Sequence, residues 1–459
     1  MIKEYLSDLL CQFKDIRVKK NIEQLSNKIL LNGHLRIYSM SEDKNEYDVF
    51  KGLLNGSQVN TLSAENIIGV IRNQAQERLG NESRVYILHD GSDIRKPNAR
   101  EMEYLGKVLS LSKEVISGYK TMNSVAVDIT GKEITMIDHE TYSTGQPNYV
   151  SQETLGLIRQ NSSELPSLPP FLWNSIEEGS YVNNSTVYLQ ALLNSHNTIK
   201  RGNIDTKMTH VQDREFDGEV YFEAVIDLGD ELITRLKLSR LSNQTRPVYT
   251  PTGKLSKKVA YVKLIDKAFE NQFTYDIDRI SIKNKTYANA KSDIEWEKLI
   301  INNRTYSVVR ITLKDEKGKP IFQHPMMLIT NRLIESAQDA KQVYQIYLLR
   351  FKIEVIFRFL KTNLGWETFQ VRDFQSIKNL IALAFFLVGY FKELAKDIQN
   401  HEIYHLIAKI GGGKGIVSIH FLLIGFEKLV HFQQIQQLID NNSLTKEEIQ
   451  AAINDFGVT

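Results

Sequence analysis

The chain has 459 residues, 42% of them hydrophobic and 24% charged, proportions ordinary for globular protein and enough for two or three separate cores. A formal net charge of +2 excludes a global field for polyanions, so any anion-binding surface must be local. The single cysteine, Cys11, excludes an intrachain disulfide framework, fits a reducing cytosol, and leaves no Cys/His cluster for structural zinc.

Residues 1–80 read as helical. The opening "MIKEYLSDLLCQFKDIRVKK" interrupts its apolar pattern with acids and lacks the core of a signal peptide. In "SAENIIGVIRNQAQERLG", Ser63 is placed to cap, apolar residues recur at helical spacing, and Gly80 suits a left-handed stop. "RVYILHDGSD" then reads as a short strand ending at a turn, and "NSVAVDIT" and "KEITMIDHET" as a hairpin around Gly131-Lys132. The proline-bearing "NSSELPSLPP" (161–170) reads as a loop.

Further on, "MTHVQDREFD" gives a strand ending at Asp213, "GEVYFEAVIDLG" a helix with Asp217 as its cap, and "ELITRLKLSR" a strand. Residues 245–325 alternate polar and β-forming residues between turn signals and read as a β-rich insertion. "MMLITNR" is another strand, and Ser336 with Asp339 suits a capping box. The longest apolar run, "LIALAFFLVGYF" (380–391), has twelve residues. A spanning helix needs about twenty, so this run is expected to be a buried helix and the protein soluble and intracellular. Strands, an intervening helix, an interruption and a final helix predict a mixed α/β sheet domain split by an insertion.

One stretch carries the chemistry. In "YLLRFKIEVIFRFLK", placed on a single helix at about 100° per residue, Tyr347, Arg350, Glu354 and Lys361 share an arc of roughly 60°. Arg358 lies beside that stripe, and Lys352 projects from the apolar side. The bland alternative is a solvated helix face with an i,i+4 pair between Arg350 and Glu354.

The spacing Tyr-x2-Arg-x3-Glu-x6-Lys resembles the signature helix of a large family of bacterial insertion-sequence transposases, the YREK motif. Four fixed residues at this spacing arise by chance in such a chain at a rate on the order of a few per thousand. The resemblance spans roughly residues 84–375. It implies a ribonuclease-H-like α/β catalytic fold with an Asp-Asp-Glu triad. The candidates are Asp90 (with Asp93 as a rival), Asp213 of the Asp213-Arg214 pair, and Glu354. It also implies that these three carboxylates hold Mg²⁺ or Mn²⁺, as two ions. Tyr347, Arg350, Arg358, Lys361 and Arg214 would bind double-stranded DNA.

The domain organisation then expected is a helical end-binding region (1–80), a catalytic core in two parts (81–244 and 326–375) around the insertion (245–325), and a helical C-terminal region (376–459) suited to dimerisation. Such a protein would bind terminal inverted repeats, cut the element's ends and join the 3′-hydroxyls to target DNA, as a homodimer in the bacterial cytoplasm. The alternatives are an endonuclease of the same fold without strand transfer and a DNA-binding derivative that no longer cuts.

Weaker signals stay open. "GGGKG" (411–415) lacks the Lys-Ser/Thr ending and preceding strand of a phosphate loop. "KLSKKVAYVK" (254–263) suits either DNA contact or a guarded strand edge. "RVKK" (17–20) is suggestive only. His89, next to Asp90, reads as a packed or solvent-facing histidine rather than a ligand.

Overall fold

A computed structural model describes residues 2–56, 61–160, 170–249, 255–282, 285–397, 402–414, 419–440, 445 and 447. The helices α1 (Ile2–Cys11), α2 (Ile16–Asn32), α3 (Ile37–Met40), α4 (Lys44–Leu54) and α5 (Ala64–Leu79) come first. The strands β1 (Arg84–Arg95), β2 (Gly106–Leu109), β3 (Val115–Asp128) and β4 (Ile134–Tyr142) follow, then α6 (Gln152–Gln160), α7 (Pro170–Glu177) and α8 (Asn184–Gly202). After β5 (Lys207–Gln212), α9 (Glu219–Asp227) and β6 (Glu231–Arg235) comes the β-rich stretch: β7 (Leu241–Tyr249), β8 (Leu255–Lys263), β9 (Asn271–Ile282), β10 (Lys285–Ile301) and β11 (Arg304–Lys314). The chain continues with β12 (Met326–Thr330), α10 (Ala337–Leu348), α11 (Phe351–Asn363), α12 (Phe374–Asp397), α13 (Glu402–Ile410) and α14 (Ile419–Asp440).

These elements form two compact units. One comprises residues 1–70, 98–103 and 356–459, and the other residues 71–97 and 104–355. Among the described residues the second holds every strand. Its nucleus is the order β4-β3-β1-β5-β6, with β1 antiparallel to β3 and parallel to β5, and β5 parallel to β6. This is the mixed ribonuclease-H-like sheet. The β-rich insertion does not stand apart from it. The strand that follows the insertion, β12, pairs antiparallel with β6, and β11, β10 and β9 continue outward, while β7 and β8 form a separate two-stranded sheet.

Strand alternation gives the sheet two covered faces. From β1, Val85 and Ile87 join Ala75 and Leu79 of α5 and Ile199 of α8 in one core cluster. Further along the sheet, Tyr188 of α8 and Phe222 and Val225 of α9 pack with Phe216, Tyr306 and Ile329. Leu88 and Asp90 point to the opposite face. The hairpin between β3 and β4 turns through Gly131 at φ 72°, and Ser336 and Asp339 form the expected capping box before α10.

In the first unit, α12 carries the apolar run. It contains an 18-residue window, Phe374–Phe391, long and apolar enough to cross a membrane, and 83% of that window is buried inside the protein. Asn379 of this helix is buried and ties down the ends of the α4–α5 connection. Its Nδ2 donates to Leu54 O (2.6 Å) and Leu62 O (2.9 Å), and its Oδ1 accepts from Ala64 N (2.7 Å).

Several local expectations are corrected. β1 does not stop at Asp90 but continues to Arg95, because its far half keeps a complete antiparallel register with β3. Ser63 does cap α5, accepting from Asn66 N, but Gly80 is not left-handed. The strand of "ELITRLKLSR" ends at Arg235. Asp217 is not the cap of α9: Gly218 occupies that position, and Asp217 Oδ2 accepts from Lys237 N at 2.7 Å. The loop expected at 161–170 lies outside the described residues apart from Pro170, which opens α7. A helix, α13, precedes Gly411, and a Cβ there would meet Phe421 O at 1.9 Å. Close packing against α14 therefore accounts for a glycine at Gly411.

Candidate active site

The largest departure from the sequence expectation is in the signature stretch. Tyr347 to Lys361 is not one helix. The backbone tightens after α10, where Leu349 N bonds to Ile346 O and Arg350 N to Tyr347 O, both i+3 links, before α11 begins at Phe351. The same pattern recurs from Lys352 to Leu349 and from Ile353 to Arg350. A short stretch of 3₁₀ character rotates the following residues relative to an ideal α-helix, so the four polar residues no longer form one solvated stripe. Tyr347 and Arg350 are 0% and 4% exposed, whereas Glu354 lies open, with 47% of its side chain exposed.

The carboxylates are placed by strand register. The parallel pairing of β1 with β5 ends at His89 opposite Gln212. Asp90 is the next residue on β1 and Asp213 the first residue beyond β5, so they stand level at the carboxyl end of that pairing. Asp213 opens a short 3₁₀ turn, Arg214–Phe216, while Asp90 stays in β1 opposite Asn123 of β3. Asp93, three residues on, instead accepts from Leu109 N of β2 at 3.1 Å.

The turn between α10 and α11 reaches these acids. Arg350 Nη1 donates to Asp90 Oδ2 at 2.7 Å, and its Nη2 donates to Glu354 Oε1. Tyr347 Oη donates to Asp213 Oδ1 over a long 3.4 Å. The guanidinium also lies 5.4 Å from the Phe351 ring centre, and its Nε is buried without a hydrogen-bond partner. Asp90, Asp213, Glu354, Tyr347 and Arg350 are thus brought together.

Electrostatics matches this geometry. Burial pushes the Asp90 carboxyl up to about 7 against the pull of Arg350, and Asp213, Glu354 and Glu215 push it further the same way. Burial also raises the Tyr347 hydroxyl, as does Asp213. Arg350 is held firmly charged: Asp90, Asp213 and Glu354 outweigh the cost of burying it.

The remaining DNA-binding candidates sit elsewhere. Arg214 is exposed on the turn after Asp213. Arg358 and Lys361 lie on the part of α11 that belongs to the first unit, where Arg358 is exposed and Lys361 pairs with Glu367 at 3.4 Å. Tyr261, in the basic piece on β8, is 55% exposed, and Arg17 pairs with Asp15 at 3.0 Å.

Two groups around the site escaped the sequence reading. Glu215, two residues beyond Asp213, accepts from the buried Tyr188 hydroxyl. Its Oε2 would lie 3.7 Å from a Cβ at Gly91. The second group is a buried histidine chain on the face away from Asp90. His89 Nδ1 meets Ser124 Oγ and its Nε2 meets His210 Nδ1, both at 2.8 Å. His210 Nε2 reaches Asp230 Oδ2 at 3.0 Å, and that oxygen also meets His196 Nδ1 at 2.7 Å. The chain stitches β3, β1 and β5 together just behind the carboxylates. Its signal was a histidine shortly before each aspartate, in "ILHD" and "THVQD". His89 is a packed histidine, and burial and its neighbour His210 hold it well below the ordinary range.

Hard carboxylate oxygens are the right donors for Mg²⁺ or Mn²⁺. Their arrangement here is not. Arg350 holds Asp90 and Glu354, and among the described residues no three acidic, histidine or cysteine side chains are gathered closely enough to hold a metal ion.

Level aspartates on adjacent parallel strands, with a glutamate on a helix brought in by an arginine, define an acidic site on a ribonuclease-H-like sheet. Residues 181–388 match the family model described as the transposase DDE domain. That stretch includes Asp213 and the whole of Tyr347–Lys361, while Asp90 lies upstream of it. The match covers less than half of the chain and makes that stretch similar to the transposase DDE domain. No curated protein matches the chain.

Proposed function

We propose that this chain is an insertion-sequence transposase of the YREK type, which binds the element's terminal inverted repeats, cuts its ends and joins the 3′-hydroxyls to target DNA. The observation that supports this reading is that Asp90, Asp213 and Glu354, far apart in sequence, are each bonded to Tyr347 or Arg350 at one turn of the Tyr347–Lys361 segment. Asp90, Asp213 and Glu354 are the catalytic carboxylates of this proposal, and Mg²⁺ or Mn²⁺, as two ions, is its cofactor. Such ions supply positive charge and Lewis acidity at a phosphodiester.

The chain's own residues have separate tasks on this reading. Arg350 presents a planar fork suited to a backbone phosphate once it leaves the carboxylates. Arg214, Arg358 and Lys361 neutralise DNA phosphates, and the Tyr347 hydroxyl orients Asp213. Two element ends must be held together, so the acting species is a homodimer in the bacterial cytoplasm.

The test incubates purified protein with DNA flanking its coding region and Mg²⁺, together with a supercoiled plasmid target, and maps the products. Joined products are expected from the wild type. Glu354→Gln is expected to lose cutting while its affinity for the ends stays within a few fold. Cutting without joining would favour the endonuclease, and end binding without cutting the non-cutting derivative. Loss of binding with retained cutting would overturn the assignment of Glu354.

A further inference from the structure

The two buried polar residues of the α10–α11 turn do something for the carboxylates before any DNA arrives. Arg350 spans Asp90 on β1 and Glu354 on α11, using a different nitrogen for each. It is the one cation among the three candidate catalytic acids for which an ion pair to them is seen among the described residues. Tyr347 reaches the third acid, Asp213.

Three features make this arrangement a closed state rather than a finished site. Arg350 is 4% exposed, and its guanidinium bridges two of the carboxylates. Its Nε is buried without a partner, so this position leaves part of its hydrogen-bonding capacity unmet. Among the described residues no three donors are gathered for a metal ion. A dication placed among the acids would face the guanidinium at close range, and like charges repel.

We infer that Arg350 is a positioning residue that closes the carboxylate site of the DNA-free protein, so that a divalent cation enters only after the guanidinium has moved to a DNA phosphate. Tyr347 keeps Asp213 oriented throughout. The order is therefore DNA first and metal second. An anionic backbone lowers the cost of releasing the arginine, and its departure removes the charge that opposed the ion. The consequence is protection: a DNA-free protein with its carboxylates closed does not hold the ions that would let it hydrolyse DNA in passing. This inference rests on the reading of the site as a DNA-cutting centre, but its test does not depend on cutting.

The experiment is calorimetric titration of the full chain with Mn²⁺ alone, with no DNA present. Wild type is expected to bind weakly, and Arg350→Ala at least about tenfold more tightly, because the competing charge is gone. Arg350→Lys keeps the charge but cannot bridge two acids, so its affinity should fall between the two, and it serves if the alanine variant fails to fold. Adding Asp90→Asn to Arg350→Ala should abolish the gain, which assigns the gained ion to this site. Equal or weaker Mn²⁺ binding by both Arg350 variants would overturn the inference, as would a gain that survives Asp90→Asn. If the variants behave as expected but the wild type neither cuts nor joins DNA, the transposase reading fails and the closure stands. If cutting is intact and Mn²⁺ binding is indifferent to Arg350, the closure fails and the transposase reading stands.

Discussion

Replacing Asp90 with asparagine should separate the cost of the acidic cluster from its use. The ordinary aspartate value is 3.8, and burial with three neighbouring acids raises Asp90 to about 7. A group whose folded-state value is raised contributes stability that is fully present below its unfolded value and is lost as pH rises through the folded one. The window is therefore about pH 4 to 7. Each pH unit inside it is worth about 1.4 kcal/mol. Between about pH 5 and pH 8 the wild type should lose about 2–3 kcal/mol that Asp90→Asn keeps. The attraction of ionised Asp90 for Arg350, which asparagine lacks, is already contained in the raised value of about 7. The assay is urea unfolding of both proteins at the two pH values, at fixed ionic strength. A stability difference that is flat with pH, or that grows in favour of the wild type, would refute the reasoning. DNA cutting by the variant should be absent at both.

Other perturbations test the frame around the site. Asn379→Leu leaves Leu54 O, Leu62 O and Ala64 N without their buried partner. It should destabilise the helical unit by at least about 3 kcal/mol in chemical denaturation, and a loss under 1 kcal/mol would mean that water replaces the amide. Gly118→Ala puts a Cβ 2.2 Å from Ile94 O and 2.6 Å from Val108 Cγ2. It should cost about 3 kcal/mol or more in thermal unfolding, unless β1 and β3 separate there at little cost. Arg350→Ala should weaken DNA binding and lower the slope of log affinity against log salt by about one phosphate; an unchanged slope would confine Arg350 to the carboxylates.

The sheet was legible because β12 is a short apolar run and β1 opens with one, "VYIL", both bordered by turn residues. The insertion's composition was equally plain, but its attachment was not. Nothing in "MMLIT" says that β12 pairs with β6 rather than closing a separate domain, since that choice is made by edge exposure and side-chain fit across the sheet. The end of β1 was misread for a related reason. "DGSD" carries the local chemistry of a turn, yet eleven register pairs with β3 keep the strand extended to Arg95.

The helix break is the harder case, and the site depends on it. "YLLRFK" has no glycine or proline, and every residue in it is an acceptable helix former. Local propensity therefore favours a continuous helix that would align Tyr347, Arg350 and Glu354 on one face. What the structure has instead is a short 3₁₀ stretch in which Tyr347 and Arg350 are both buried and both bonded to aspartates of other strands. The bonds to Asp90 and Asp213 exist only after β1 and β5 have paired, so no window of sequence around residue 350 contains their cause. The pairing of Arg350 with Asp90 outweighs one unbroken run of i+4 bonds: a guanidinium 5% exposed and left without its carboxylate partner costs several kcal/mol, and exchanging a few α-helical bonds for i+3 bonds costs far less. Tyr347, Arg350 and Glu354 keep their spacing in the sequence, but their geometry is set by the sheet.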